Sequence, residues 1–228
     1  MGRREVSRVE GFSDLVFGFA LALLVVSLEV PTDFAELKII LGGFLPFAAT
    51  FTLVCWIWYQ HYAFFRLYEV EDPLSIALNC ALLYIVLFFV YPLKFVFSSL
   101  IPSFGTNWQF GFREMSPADG RLLLWSYSAG FTALFVVFML LYWNVLRRRD
   151  EFELTPEQVF EARAGMRTHA ISAGVGLLSI VLAFALPIRV LGLAGMVYAL
   201  QGPLHWRNGV LIARARERAF PSSTPTPP

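Results

Sequence analysis

Residues 8–30 read RVEGFSDLVFGFALALLVVSLEV, and the fold turns on whether this stretch is a removable leader or a membrane span. A bilayer's hydrocarbon core, roughly 30 Å thick, needs about 20 apolar residues in a helix. Phe12–Val30 has that length, and its only charges are Asp14 and Glu29. A secretory leader has a shorter apolar core and a small-residue cleavage site behind it. No such site follows Val30, so the segment is read as a retained first span.

The rest of the chain repeats the pattern. Of its 228 residues, 57% are hydrophobic and 15% charged, and its mean hydropathy is positive. That is too apolar for an ordinary soluble domain. Further apolar runs lie near Leu37–Tyr59, Leu74–Leu100, Leu122–Leu146, His169–Leu186 and Val190–Ile212. The sequence therefore predicts an all-α polytopic membrane protein with six transmembrane helices. Residues 1–219 form one unit without an internal repeat, and the Pro-, Ser- and Thr-rich residues 220–228 form a disordered tail. The spans use up most of the chain and leave no room for a soluble catalytic domain.

Charge orients the spans, because short cytoplasmic loops carry the excess of Lys and Arg. Arg3, Arg4 and Arg8 precede the first span and Arg66 follows the second. Arg147, Arg148, Arg149, Arg163 and Arg167 lie between the fourth and fifth, and Arg214, Arg216 and Arg218 follow the sixth. Both termini are accordingly placed in the cytoplasm, with the protein in the cell inner (plasma) membrane among its lipids. Topology and lipid anchoring account for these arginines, so no nucleic-acid partner is expected. Turn-rich residues 103–120, with Trp108, Phe110 and Phe112 interleaved, suit an external interfacial loop. Thr155-Pro156-Glu157-Gln158 has the form of a capping box with Pro at the first helical position. A helix from there to Leu186 is about 46 Å long and predicts a projecting cytoplasmic stalk.

Ionisable residues inside a span are costly and mark function by default. Three stand out: Asp14, Glu29 and Lys94. Asp14 follows Phe12 and Ser13, with Arg8 on the flank. Read locally, Ser13 is a helix cap and Asp14 sits in a first turn, both favoured by the macrodipole. Read as tertiary contacts, Asp14 meets polar groups at similar depth: Trp56, Gln60 and His61 on the second span and Asn79 on the third. Lys94 lies just beyond Pro92 and can snorkel outward. Cys55 and Cys80 have no metal-ligand spacing and read as buried free thiols. His61, His169 and His205 fall near cytoplasmic span ends, where an imidazole can titrate and act as a pH switch, while His169 and His205 suit interface anchoring.

Arg8, Phe12, Ser13 and Asp14 spell R-x-x-x-F-S-D. This resembles the signature opening the first helix in the transmembrane protein 175 family, the endolysosomal potassium channels. The likeness continues through Leu28-Glu29-Val30-Pro31, the Trp and His residues ending the second span, Asn79, and Tyr198 with Gly202-Pro203. The chain resembles the prokaryotic members, which carry a single six-span repeat. The resemblance implies a homotetramer passing K+ and other monovalent cations, its pore lined by the first helix, with no cofactor. By the same resemblance, Arg8, Phe12, Ser13, Asp14, His61 and Asn79 form a structural polar network. Phe19 falls at the narrowest point, with Leu23, Val26 and Val30 continuing the lining. Many relatives have Ile or Leu where this chain has Phe19, and Thr or Ser where it has Ala22. Glu29, Asp33 and Glu36 would ring the outer mouth and gather cations, although in a single chain they are simply a solvated loop.

Two other classes compete. Gly11-Phe12-Ser13-Asp14 superficially offers a serine nucleophile, but a six-span protease needs its Ser at the head of a central helix with a His at matching depth. A proton-coupled secondary transporter would use Arg8, Asp14, His61 and Asn79 as a relay, yet no span is broken at its midplane by paired Gly and Pro.

Overall fold

The computed structural model describes residues 7–28, 30–100, 116–187 and 190–221, and among these no strand occurs. The helices are α1 (Arg8–Val26), α2 (Phe34–Gly42), α3 (Phe44–Tyr68), α4 (Pro73–Leu100), α5 (Pro117–Arg147), α6 (Pro156–Ala185), α7 (Gly192–Met196) and α8 (Gln201–Ala219). Four of them, α1, α4, α5 and α6, are long and apolar enough to cross a membrane, and α2 with α3 makes a fifth if that bent pair is one span. The pair bends by 47° at Gly43, whose N–H donates back to the Ile39, Ile40 and Leu41 carbonyls.

The expected sixth span, Val190–Ile212, is not one apolar helix. It is divided into α7, a 3-10 turn at Val197–Leu200, and α8, which carries Arg207, Arg214, Arg216 and Arg218. By length and composition, the described residues therefore give four or five apolar spans. The external loop expected at 103–120 lies mostly outside them, as do Glu29, Arg3, Arg4 and residues 222–228.

Local chemistry explains the helix starts. Ser7 Oγ accepts from the Glu10 N–H at 3.2 Å while Glu10 Oε2 accepts from the Ser7 N–H at 3.0 Å, a closed capping box. α1 consequently begins one turn earlier than Phe12, and Ser13 is no cap. The Thr155–Gln158 box forms as expected, with Gln158 N–H to Thr155 Oγ1 at 3.2 Å and Thr155 N–H to Gln158 Oε1 at 2.9 Å. The start of α6 is not a free stalk, however. Gln158 Nε2 donates to the Leu67 carbonyl of α3 at 3.2 Å, and Arg216 of α8 pairs with Glu157 at 2.7 Å and Glu161 at 3.2 Å.

Residue pairings give the helix directions. Along α5 and α6, Ser128 meets Ser179, Thr132 lies against Gly176 and Tyr142 against Gly165, so the two run antiparallel. Asn144 of α5 bonds Asp72 and Ser75 at the start of α4, while Phe89 lies on Gly130, so α4 and α5 are antiparallel too. Ser13 and Ser27 of α1 meet Asn79 and Lys94 of α4, which makes that pair parallel. Thr168 meets Asn208, and Ser172 meets His205, setting α8 antiparallel to α6. The start of α1 and the end of α8 thus lie at one end of the bundle.

That end is tied by Asp72. Its side chain is 7% exposed and pairs with Arg148 at 2.8 Å, while Asn144 Nδ2 donates to both carboxylate oxygens at 3.2 and 3.1 Å. Burial opposes the charge, but Ser75, Asn144 and Arg148 together hold the carboxyl below its ordinary range.

The core is mostly aromatic and aliphatic, with Phe17, Phe64, Phe65, Leu82, Phe138 and Leu141 sealed between helices. Glycines set the closest approaches, as small residues do between membrane helices. A Cβ added at Gly176 would stand 2.3 Å from Thr132 Oγ1 and 3.1 Å from the Phe131 ring. Gly176→Val is therefore expected to lower thermal stability of the solubilised protein by about 1–3 kcal/mol, measured as a fall in the unfolding midpoint.

Candidate conduction helix and its polar anchor

α1 buries one stripe and leaves the opposite one uncovered. Ser13, Phe17, Ala20 and Leu24, spaced by four, three and four, are buried, as one helical face requires. The Ser13 hydroxyl donates to the Val9 carbonyl at 2.8 Å and accepts from Asn79 Nδ2 at 2.9 Å. Asn79 Oδ1 lies 2.8 Å from His61 Nε2. Asn79 thus joins α1, α3 and α4 in one hydrogen-bonded cluster whose three side chains are at most 1% exposed. The His61 ring is packed between Phe17 at 5.5 Å and Phe65 at 4.5 Å, centroid to centroid.

Asp14 makes a separate contact at the edge of this cluster. Its Oδ1 accepts from Trp58 Nε1 at 2.7 Å. Trp56, the residue read from the sequence as near Asp14, instead turns toward Phe135 of α5 at 6.1 Å. Trp58 and His61 are three residues apart and so share a helical face, whereas Trp56 does not. That spacing was the available signal for Trp58. Arg8 is exposed at the helix start and joins neither contact.

The expected polar network thus divides into Ser13–Asn79–His61 and Asp14–Trp58. A proton relay through Arg8, Asp14, His61 and Asn79 is interrupted by that division. Nor is Ser13 an activated nucleophile. Asn79 stands between it and His61, and the hydroxyl proton is held by a backbone carbonyl.

The uncovered stripe of α1 holds Phe12 at 55%, Leu15 at 74%, Phe19 at 57% and Val26 at 76% exposure, with Ala22 among them. Leu23 is only half-exposed, at the margin of this stripe. Val30 is 87% exposed and stands beyond the end of the helix. A Cβ added at Gly18 would meet nothing within 4 Å, so the Gly18–Ala22 face is also unpacked within the chain. Asp33 caps α2, accepting the Glu36 N–H at 2.8 Å, and remains exposed. Glu29 lies outside the described residues.

Other sequence readings change in the structure. Lys94 does not snorkel outward but turns onto Ser27 of α1. Cys55 is half-buried and Cys80 exposed, rather than both buried. His169 and His205 are not interface anchors. The first stacks on Phe138 at 4.8 Å and is 2% exposed, and the second bonds Ser172 of α6 and, within its own helix, Gln201. A cavity of about 50 Å³ between α3, α4 and α5 is lined by apolar residues including Leu53, Val86, Phe89 and Phe135. It offers a cation no charged ligand.

A profile of the family described as "Endosomal/lysosomal potassium channel TMEM175" matches residues 8–90, the part that holds the Ser13–Asn79–His61 cluster. A "Potassium channel" of Marivirga tractuosa is 34% identical over 226 residues, covering 94% of this chain and 91% of its own. The chain belongs to the TMEM175 potassium channel family. Among solved structures, a variant of the potassium channel MtTMEM175, crystallised with a nanobody–MBP fusion, is similar over 92% of this chain and 95% of its own, with a TM-score of 0.81 and 32% identity. A lysosomal potassium-selective channel TMEM175 homolog from Chamaesiphon minutus shares the fold, with a TM-score of 0.57 and 22% identity over 88% of this chain and 96% of its own. TMEM175 is a family of ion channels and not of enzymes, which removes the protease reading on independent grounds.

Two outcomes are expected at the polar anchor. Asn79→Leu strands the buried His61 Nε2 and should cost about 1–3 kcal/mol of unfolding free energy, read by denaturation in detergent. Asp14→Ala and Trp58→Phe remove the same bond, so the double variant should be no less stable than the worse single one within about 0.5 kcal/mol. Simple additivity would show that the bond contributes nothing.

Proposed function

We propose that the protein is a potassium channel of the cell inner (plasma) membrane, a homotetramer in which α1 of each copy lines a central, hydrophobically constricted pore. The supporting observation is the two-faced α1. One face is fastened to α3 and α4 through buried polar and apolar groups, while the stripe Phe12, Leu15, Phe19, Ala22 and Val26 finds no cover among the described residues. Facing copies across an axis would turn that stripe into stacked apolar rings, which gate ions by dewetting. The adjoining Gly18–Ala22 face would admit a neighbouring helix closely.

Phe19 supplies the narrowest ring in this reading, followed by Leu23 and Val26, with Val30 at the outer exit. Ala22 has no oxygen to replace lost hydration, so dehydration and cation–π contact both fall to the Phe19 rings. Asp33, with Glu29, would supply the outer ring of carboxylates that concentrates monovalent cations. The polar cluster of Ser13, Asn79 and His61 holds the helix in place and does not contact ions.

We also read six crossings with both termini cytoplasmic, residues 1–219 forming the channel unit and 220–228 a tail. The alternation of helix directions supports this, because it brings the ends of α1 and α8 together beside Arg147 and Arg148. The positive-inside bias then assigns that end to the cytoplasm. The two ends of the apolar belt meet lipid headgroups.

The test is single-channel recording of purified protein in planar bilayers under a potassium gradient. Wild-type protein should give unitary cation currents, and Phe19→Ala should raise potassium leak severalfold or weaken discrimination among monovalent cations. Saturable tracer uptake without unitary currents would overturn the channel reading in favour of a transporter.

A further inference from the structure

α1 ends without a basic residue in its last turn. The negative end of its macrodipole therefore lacks a cation of its own. α4 provides one. Lys94 Nζ donates to Ser27 Oγ at 2.6 Å and to the Ser27 carbonyl at 3.2 Å, while the Ser27 hydroxyl donates to the Leu24 carbonyl at 2.6 Å. One ammonium thus gathers two oxygens of the terminal turn, and through the Ser27 hydroxyl reaches a third. Lys94 is half-buried and follows the buried Leu93. Charge-assisted bonds are stronger in such partly apolar surroundings than in water.

The position of the tether is also informative. Ser13 and Asp14 secure α1 near its start, whereas Phe17, Ala20 and Leu24 make apolar contacts along its length. Ser27 is the polar attachment at the far end. On α4, Lys94 comes two residues after Pro92, which lacks an N–H and interrupts the hydrogen-bond ladder there. The tether is thus fixed to the part of α4 where the helix can yield.

We propose that Lys94 is a positioning residue for conduction: through Ser27 it fixes the outer end of α1 and so sets the aperture of the Val26 ring. This inference rests on the reading of α1 as the pore helix. With its ammonium engaged on Ser27, Lys94 acts through α1 and not as a free charge facing ions.

The test compares wild type, Lys94→Met, Lys94→Arg and Ser27→Ala, all reconstituted in lipid nanodiscs or bilayers. Lys94→Met should speed amide hydrogen exchange of residues 24–28 by roughly tenfold or more, the scale of a lost charge-assisted bond. Exchange at residues 13–20 should stay as in wild type. Mean single-channel potassium conductance should fall at least about twofold through unsteady openings, and Lys94→Arg should restore both readouts because it keeps the cation. Ser27→Ala should produce a weaker effect in the same direction. Unchanged exchange in Lys94→Met overturns the tether. Faster exchange with wild-type conductance overturns its role in positioning the pore. A wild-type protein without potassium currents refutes the channel reading and with it the conduction role, while the exchange comparison still decides whether the tether exists.

Discussion

A buried amide bridging three helices is the constraint on which the rest of the molecule depends. Asn79 donates to Ser13 of α1 and meets His61 of α3 from its own place on α4. These side chains are sealed from solvent, and a buried polar group left unsatisfied costs about 1–3 kcal/mol. The cluster therefore specifies which face of α1 turns inward. Once Ser13 is inward, Phe17, Ala20 and Leu24 follow by helical spacing, and Phe12, Leu15, Phe19 and Val26 are left outward. Individual interhelical bonds of this kind contribute only about 0.6–2 kcal/mol, so their main effect is on rotational register, with close glycine contacts and aromatic packing supplying most of the cohesion.

Much of the fold was legible because membrane solvent imposes a strong length and composition rule. α1, α4, α5 and α6 fall where continuous apolar runs predict them, and the Thr155 box marks the start of α6. The interruption in the sixth apolar run is not legible, because mean apolarity conceals the change near Val197, where the backbone tightens to a 3-10 turn before the arginine-rich α8. The bend at Gly43 was invisible for a similar reason, since a single glycine within an apolar run does not alter span length. Charge marks residues 8–14 in the sequence but does not specify their partners. Trp58 lies on the helical face shared with His61, and a long cationic side chain near a span end ordinarily snorkels to the interface, whereas Lys94 turns onto Ser27.

The two ends of α1 are held by different chemistry. Near its start, neutral hydrogen bonds and one tryptophan donor lock rotation. At its far end, an ammonium from α4 completes the terminal turn. The intervening contacts are apolar and non-directional, which suits the proposal that the opposite face meets other copies of α1. In this account, the TMEM175 signature is chiefly a device for orienting a helix, and conduction follows from what that orientation leaves uncovered.

The most direct measurement is a cryo-electron microscopy map of the assembled protein in lipid nanodiscs, resolved well enough to place side chains on α1. The account predicts four copies around one axis, with Phe12, Phe19 and Val26 directed toward it and Ser13 directed toward Asn79. A map in which that stripe faces lipid, or in which copies meet through other helices and enclose no axial path, would contradict it.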